Sequence, residues 1–256
     1  MRVFWNSQSP FARKVRICLL EKSAAFEAVE IATATQREEL RRVSPRAEVP
    51  VLVEGACAIA GSREICDYLE ARFPEPALLP REPAKRARVA ALERISDEYA
   101  DALQFLLHLA SERRPDLSAR FPALRGALEQ ASEQLYALLD AELGAGDYFA
   151  GDFSRADVAL VTQVTSLVSL LDGAAPRQAR LGKWLARMLA RDSVRRDARE
   201  ALAAVERDAH EPEPFFARDS IHWRDTRVEF ALRFGLGAWL LEEIQSGRAF
   251  FSPAPR

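Results

Sequence analysis

The proline-rich stretch FPEPALLPREP, residues 73–83, divides the chain into two parts with different hydrophobic periodicity. It holds four prolines in eleven residues, and because proline removes a backbone donor and restricts the residue before it, the stretch predicts a stiff, extended connection. Strand-like and helix-like patterns alternate before it, whereas almost every apolar pattern after it has helical spacing. The sequence therefore predicts an α/β domain over residues 1–75, a linker over 76–83 and helices beyond it.

The α/β part contains short apolar runs of both periods. Two alternating runs flank an amphipathic helix, which makes a β-α-β unit. The segment VPVLVEGACAIA then joins two apolar runs at Glu54-Gly55, and glycine suits the tight turn of a hairpin. In order, the predicted elements are a strand over 2–5, a helix from Ser9 to about Lys22, a strand over 26–31, a polar linker, the hairpin, and a helix that Ser62 caps and Pro74 ends.

Residues 84–210 predict an all-α domain. Ser154 and Asp157 form an S-x-x-D capping pair ahead of a very apolar run, which indicates a buried central helix. The predicted helices are two long ones with apolar stripes over 92–106 and 124–139, a third from Ser154 to about Gly173, and two arginine-rich ones around 177–190 and 194–209. We expect the charged faces of the arginine-rich helices to lie in solvent.

Composition argues against several classes of protein. With 36 basic and 38 acidic residues the net charge is −2, and no basic block is interleaved with aromatic residues, so we expect no nucleic-acid partner. Three scattered cysteines without a C-x-x-C pair, and no long apolar segment, favour a soluble cytoplasmic protein with no disulfide framework and no membrane partner. The three histidines form no ligand cluster, so no metal site is expected.

The segment SQSPFARKVRICLL raises the question of what Ser9 does. Ser9 can be an N-cap, with Pro10 at the first helical position, ahead of an apolar stripe that includes Phe11 and Cys18. Ser7 also precedes the helix. From the residues alone, Ser9 can be an architectural cap or a functional hydroxyl.

Four motifs in this order resemble the cytosolic glutathione transferases, over roughly residues 1–208. SPFARKVRICLLEK is similar to the first helix of omega-like and bacterial members, with serine at the sulfur-contacting position. EVPVL resembles the V-P-x-L element, whose proline is cis in the family; GSREICDYLEARFP resembles its S-x-x-I-x-x-YL helix; and GDFSRADV resembles its capping motif. The resemblance implies a thioredoxin-like N-terminal domain followed by an all-α domain.

The resemblance also implies a glutathione site. Ser9 would be the catalytic residue, because its hydroxyl would hydrogen-bond the thiolate of glutathione, the co-substrate. The implied glutathione-binding residues are Phe11, Val49, Pro50, Ser62 and Arg63. Independently of the family, Pro50 lies within a predicted strand, so an edge position or a cis bond must accommodate it.

Two positions depart from the family's pattern. Gly61 stands where an acidic residue or glutamine often helps to hold the ligand's amino group. Glu48 stands where a lysine often holds the glycyl carboxylate, and two carboxylates repel. The arginines that could supply the missing charge are Arg37, Arg41, Arg42 and Arg46.

Residues 211–256 extend beyond the resemblance and form a predicted C-terminal helical extension, interrupted at Gly235 or Gly237. Its large apolar residues must be buried, and we predict that it packs across the helical domain and narrows the acceptor cleft. These residues are Phe215, Phe216, Trp223, Phe230, Leu236, Trp239 and Leu240. Tyr99, Phe105 and His108 are candidates to line that cleft, or are core.

The function implied by the resemblance is conjugation of the glutathione thiolate to a small apolar electrophile, by a homodimeric enzyme. One alternative is a noncatalytic binding or regulatory module on the same fold. Another is a glutathione-dependent reductase or lyase, which commonly has cysteine where Ser9 stands. Cys18 and Cys66 lie on apolar stripes and are expected to be core residues.

Overall fold

The computed structural model describes residues 1–31, 34–44, 46, 48–110, 115–210 and 221–251. A four-stranded sheet of order β2-β1-β3-β4 forms the N-terminal domain, with β1 and β2 parallel and the other neighbours antiparallel. The elements are β1 (Arg2–Trp5), α1 (Pro10–Glu21), β2 (Glu27–Glu30), α2 (Ala34–Val43), β3 (Val51–Glu54), β4 (Cys57–Ala60) and α3 (Ser62–Arg72). The predicted thioredoxin-like α/β architecture is confirmed.

Helix α2 occupies the polar stretch that we predicted to be a linker, and that prediction is wrong. The helix has little apolar surface. Its fully buried residue is Leu40, which packs with Phe4, Ile31 and Val51, and Val43 at its end is partly buried against the same cluster. One fully buried leucine among charged residues leaves no apolar stripe for periodicity to detect.

The helical domain follows the connection from α3. Its first long helix is continuous but changes hydrogen-bond pattern, with a π-helical segment over Ile95–Ala100 between α4 and α5. The helices are α4 (Pro83–Arg94), α5 (Asp101–Leu109), α6 (Pro115–Arg120), α7 (Leu124–Leu143), α8 (Arg155–Leu170), α9 (Ala179–Ala190) and α10 (Asp192–His210). The domain limits drawn from the sequence stay a prediction.

Helix α8 is the central helix of this domain and begins with the predicted capping box. Asp157 accepts hydrogen bonds from the backbone N–H and hydroxyl of Ser154. It also accepts from Trp184 Nε1 at 2.9 Å and from the backbone N–H of Phe149 at 3.2 Å. The cap therefore fixes the start of α8 and joins it to α9.

Charged residues of α1 are buried against the helical domain. Arg13, Lys14 and Arg16 are at most 5% exposed, and both arginines bond the fully buried carboxylate of Asp197 on α10. Lys14 donates to Asp97 at 2.7 Å. The expectation that the charged residues of α10 are solvated is wrong for Asp197, because a charge can be buried where it is paired.

The extension packs on the helical domain, as predicted. Trp223 and Phe230 make edge-to-face contacts with Phe105 and Tyr99, at ring-centroid distances of 5.0 and 4.9 Å. Its elements are β5 (Ile221–Trp223), α11 (Asp225–Arg233), α12 (Gly237–Gln245) and β6 (Ala249–Phe251), with β5 and β6 parallel.

The predicted interruption lies between α11 and α12, where Gly235 has a φ of 76°. The predicted apolar residues Phe215 and Phe216 lie outside the described residues. Among the described helices, none is long and apolar enough to span a membrane.

Candidate functional site

Three segments of the N-terminal domain meet at one end of the sheet. Since β1 pairs antiparallel with β3 at Phe4 and Val51, the register continued by one residue brings Pro50 beside Trp5, just before the loop that starts α1. The Val49-Pro50 bond is cis, as the sequence allowed. The backbone N–H of Gly61 donates to the Pro50 carbonyl at 3.2 Å, so the start of α3 lies there too.

The two serines before α1 have different environments. Ser7 is buried, donates its hydroxyl to Glu30 at 2.7 Å and accepts from Arg16 at 3.1 Å. Ser9 is half-buried and caps the helix, because its Oγ accepts from the Ala12 N–H over a long 3.5 Å. The Ser9 bond uses a lone pair, and the hydroxyl keeps its proton for a second partner.

The start of α3 differs from the prediction that Ser62 is its cap. Gly61 is the N-cap, with a φ of 102°, and Ser62 is the first helical residue and is buried. A Cβ atom at position 61 would clash with the carboxylate of Glu64. The positive φ therefore favours glycine at position 61, whereas the Glu64 carboxylate is the end of a flexible, exposed side chain and can move. Arg63 is exposed beside them.

The extension reaches this end of the sheet through Arg224, a residue that sequence reasoning missed. Its guanidinium carbon lies 4.6 Å from the centre of the Phe11 ring, and its Nε lies 4.0 Å from Glu48 Oε1. Burial, with a smaller contribution from nearby Arg227, lowers the pKa of Arg224. No local pattern distinguishes this arginine from the others, because its position depends on how the extension folds back.

The arginines proposed to supply the charge that position 48 lacks have different environments. Arg46 forms an ion pair with Glu48 at 3.0 Å, and Arg41 pairs with Glu38 on α2. Arg37 Nη1 is buried with no hydrogen-bond partner among the described residues. Of these residues, the structure brings Arg46 to Glu48.

The predicted cleft residues lie on or beside α5, where the extension covers part of them. Arg227 donates twice to Asp101, at 2.8 and 2.9 Å, and its guanidinium lies over the Phe105 ring. Tyr99 contacts the extension as well, and His108 is half-buried. Their role in an acceptor cleft stays a prediction.

Cys18 and Cys66 are buried, which confirms the prediction that they are core residues. Their sulfur atoms are 3.5 Å apart, and the hydrogen bond between the two thiols, together with burial, raises the pKa of the Cys18 thiol. A thiol with a raised pKa is a poor nucleophile at neutral pH. Over the described ranges, no group of three acidic, histidine or cysteine residues could hold a metal ion.

Comparison with known proteins supports the fold described above. The sequence profile of the glutathione S-transferase N-terminal domain matches residues 7–77. An uncharacterized GST-like protein of Escherichia coli, YibF, is 35% identical over 117 residues, which span 45% of this chain and 56% of YibF. Maleylacetoacetate isomerase of Rattus norvegicus is 33% identical over 159 residues, which span 60% of this chain and 71% of the isomerase.

A third relative and a solved structure extend the comparison. A stringent starvation protein A homolog of Haemophilus ducreyi is 29% identical, over 61% of this chain and 70% of that protein. The theta class glutathione S-transferase of Xanthomonas axonopodis pv. citri, solved with glutathione bound, superposes with a TM-score of 0.65 at 25% identity, over 77% of this chain and 95% of that one. Sequence, fold and the cis Val49-Pro50 bond agree, and the chain belongs to the glutathione S-transferase superfamily.

Proposed function

We propose that this chain binds glutathione where the Asn6–Ser9 loop, Val49-Pro50 and the start of α3 meet, and that it conjugates glutathione to a small electrophile. The observation that carries the proposal is the convergence of these three segments through the register of β1, β3 and β4. The N-termini of α1 and α3 lie at this place together with the open end of β3, and they supply positive potential and backbone hydrogen-bonding groups.

Each segment suits one part of the tripeptide. The Val49 backbone precedes β3 and can pair with the cysteinyl backbone as one strand pairs with another. The N-terminus of α3, at Ser62 and Arg63, suits the γ-glutamyl carboxylate because its first amides have no partner within the helix. Glu64, whose carboxylate lies against Gly61, is placed to accept from the amino group and replaces the acidic side chain that position 61 lacks.

Ser9 would stabilise the ionised sulfur. When bound, glutathione supplies the nucleophilic thiol. The Ser9 hydroxyl would donate one charge-assisted hydrogen bond to it, while the first-turn amides of α1 add positive potential. Both interactions favour the thiolate, which raises its fraction at neutral pH. Cap and donor are compatible roles, since the cap uses a lone pair of the same oxygen.

The electrophile would bind between the domains, near Tyr99 and Phe105. These aromatic side chains lie at the π-helical segment and on α5, and the extension packs against both. An electrophile with an apolar part suits such a surface. We also propose that the protein acts in the cytoplasm as a homodimer paired through the long helices after the linker; a light-scattering mass of 28.6 kDa at micromolar concentration would contradict the dimer.

A noncatalytic binding module is the second candidate. The observation that favours it is that Gly61 and Glu48 depart from the family's glutathione-binding pattern, and a module with no reaction to catalyse tolerates such departures. The relative from Haemophilus ducreyi carries a name that specifies no reaction.

Calorimetric titration with glutathione decides between the two candidates. Saturable binding, followed by conjugation of a chromogenic electrophile, supports the transferase. Binding without turnover over a broad panel of electrophiles supports the module, and no binding contradicts the glutathione site itself.

The role of Ser9 is tested by the pKa of the bound thiol, read from thiolate absorbance. Ser9→Ala is expected to raise that pKa and to slow conjugation, with affinity changed less. The matched control is Ser154→Ala, which removes the N-cap serine of α8. Both variants lose about 1 kcal/mol of stability, and only Ser9→Ala moves the thiol pKa. If the pKa of the bound thiol is unchanged in Ser9→Ala, Ser9 acts only as a helix cap.

A further inference from the structure

Five charged side chains meet where the extension reaches the candidate site. Arg227 and Asp101 share two hydrogen bonds, and Arg46 pairs with Glu48 at 3.0 Å. The nearest carboxylate to Arg224 is Glu48, at 4.0 Å, and no other described acidic group lies within that distance. Among the described residues, three arginines therefore face two carboxylates, and Arg224 is the arginine of this group without a close ion pair.

Arg224 is held in place from both sides. Its guanidinium lies over the Phe11 ring, two residues after Ser9. The residue before it, Trp223, is fully buried and packs against Phe105 and Trp239. A guanidinium that stacks through its face keeps the N–H groups at its edge available for a carboxylate.

We infer that Arg224 binds the glycyl carboxylate of glutathione, so that the C-terminal extension completes the glutathione site. The inference rests on the proposed function. Glutathione has two carboxylates, and the γ-glutamyl one is assigned to the start of α3. With the cysteinyl backbone beside Val49, the glycyl end extends toward Glu48, where a carboxylate is repelled unless a cation stands there. Arg224 is that cation.

Glu48 then has a positioning role. At 4.0 Å it attracts the guanidinium of Arg224 electrostatically without occupying its N–H groups by a close bond. In the family's pattern a lysine at position 48 often holds this carboxylate. In this chain Arg224 of the extension takes that role, and Glu48 orients the arginine. The binding of the glycyl carboxylate by Arg224 thereby explains both why position 48 departs from the family's pattern and what the extension contributes.

The test compares glutathione with its glycyl ethyl ester, which lacks the carboxylate in question, by calorimetric titration of the full chain. Arg224→Gln is expected to weaken glutathione binding about tenfold, as for the loss of one charge-assisted contact, and to leave ester binding nearly unchanged. Arg224→Lys, which keeps the charge, should retain part of the affinity. The control is Arg233→Gln, an exposed arginine at the end of α11, the helix that Arg224 precedes, where it is paired with Glu229; this change should alter neither affinity.

Several outcomes would overturn the inference. Equal losses for both ligands mean that Arg224 only supports the fold. An unchanged affinity for glutathione, with a loss confined to an acidic electrophile, assigns Arg224 to the other substrate. If the unmodified protein binds neither glutathione nor its ester, the proposed function itself is wrong. This outcome differs from the first two, in which the unmodified protein still binds glutathione.

Discussion

Replacing Asp197 with asparagine is expected to loosen the contact between the two domains. The carboxylate is fully buried and accepts from Arg13 Nε and Arg16 Nε, each at 2.9 Å, and from Arg16 Nη2. Asparagine has nearly the same shape but removes the negative charge and one acceptor oxygen. Arg13 would then lack a negative charge that compensates its desolvation, and Arg16 would keep only the carboxylate of Glu200.

The magnitude follows from what remains bonded. Breaking a buried pair by removing one partner costs about 3–5 kcal/mol. Arg13 keeps the Thr162 carbonyl and two hydroxyls, and Arg16 keeps Ser7 and Glu200, so we expect the lower end, about 3 kcal/mol. With about 2.1 cal/mol/K of unfolding entropy per residue, 256 residues convert this into a fall in Tm of roughly 6 °C.

The assay is thermal unfolding followed by circular dichroism, at low salt and at 1 M NaCl. The control is Asp192→Asn on the same helix, an exposed residue paired with Arg195, for which a surface pair predicts a loss of about 1 kcal/mol or less. The Asp197 effect should persist in high salt, because buried pairs are little screened. Equal Tm values for the two variants would refute the reasoning.

Three further predictions concern other parts of the chain. Backbone N–H groups, chiefly that of Leu181, lower the pKa of Asp140. The decrease in unfolding free energy caused by Asp140→Asn should therefore be largest above pH about 3.9, and it should shrink as the pH falls through the lowered pKa of Asp140 in the folded protein. A decrease that does not depend on pH contradicts this. A thiol reagent should label Cys57, the exposed cysteine, quickly and the two buried cysteines only on unfolding, as mass spectrometry would show. Tyr136→Phe should be neutral or stabilising by up to about 1 kcal/mol in urea unfolding, since the buried hydroxyl has no partner among the described residues; a large loss would reveal one.

The elements predicted correctly from the sequence depend on residues close together in the chain. The capping box of α8 needs Ser154 and Asp157, three positions apart, and the hairpin needs a glycine with positive φ at Gly55. The apolar stripe of α1 and the proline-rich connection are equally local. The candidate glutathione site could be predicted from the sequence because its motifs lie at the ends of such elements. That these motifs converge in space follows from the strand register.

Helix α2 could not be predicted because it has no apolar stripe, and the buried charges of α1 could not be predicted for a different reason. A charged residue reads as solvated, because an unpaired charge in the interior is costly. Whether Arg13 or Arg16 has a buried partner depends on Asp197, more than 180 residues away. Neither residue type nor spacing contains that information.

Local patterns along the chain predicted the two kinds of architecture and the order of most elements, because hydrogen bonding and apolar periodicity act over a few residues; four short motifs indicated the family. Which charges are buried, that Gly61 rather than Ser62 caps α3, and that Arg224 lies over Phe11 became known from the folded structure. The physical reason is that desolvation and ion pairing depend on distances in space, and the extension brings Arg224 to the first turn of α1 only once the aromatic residues around it have packed.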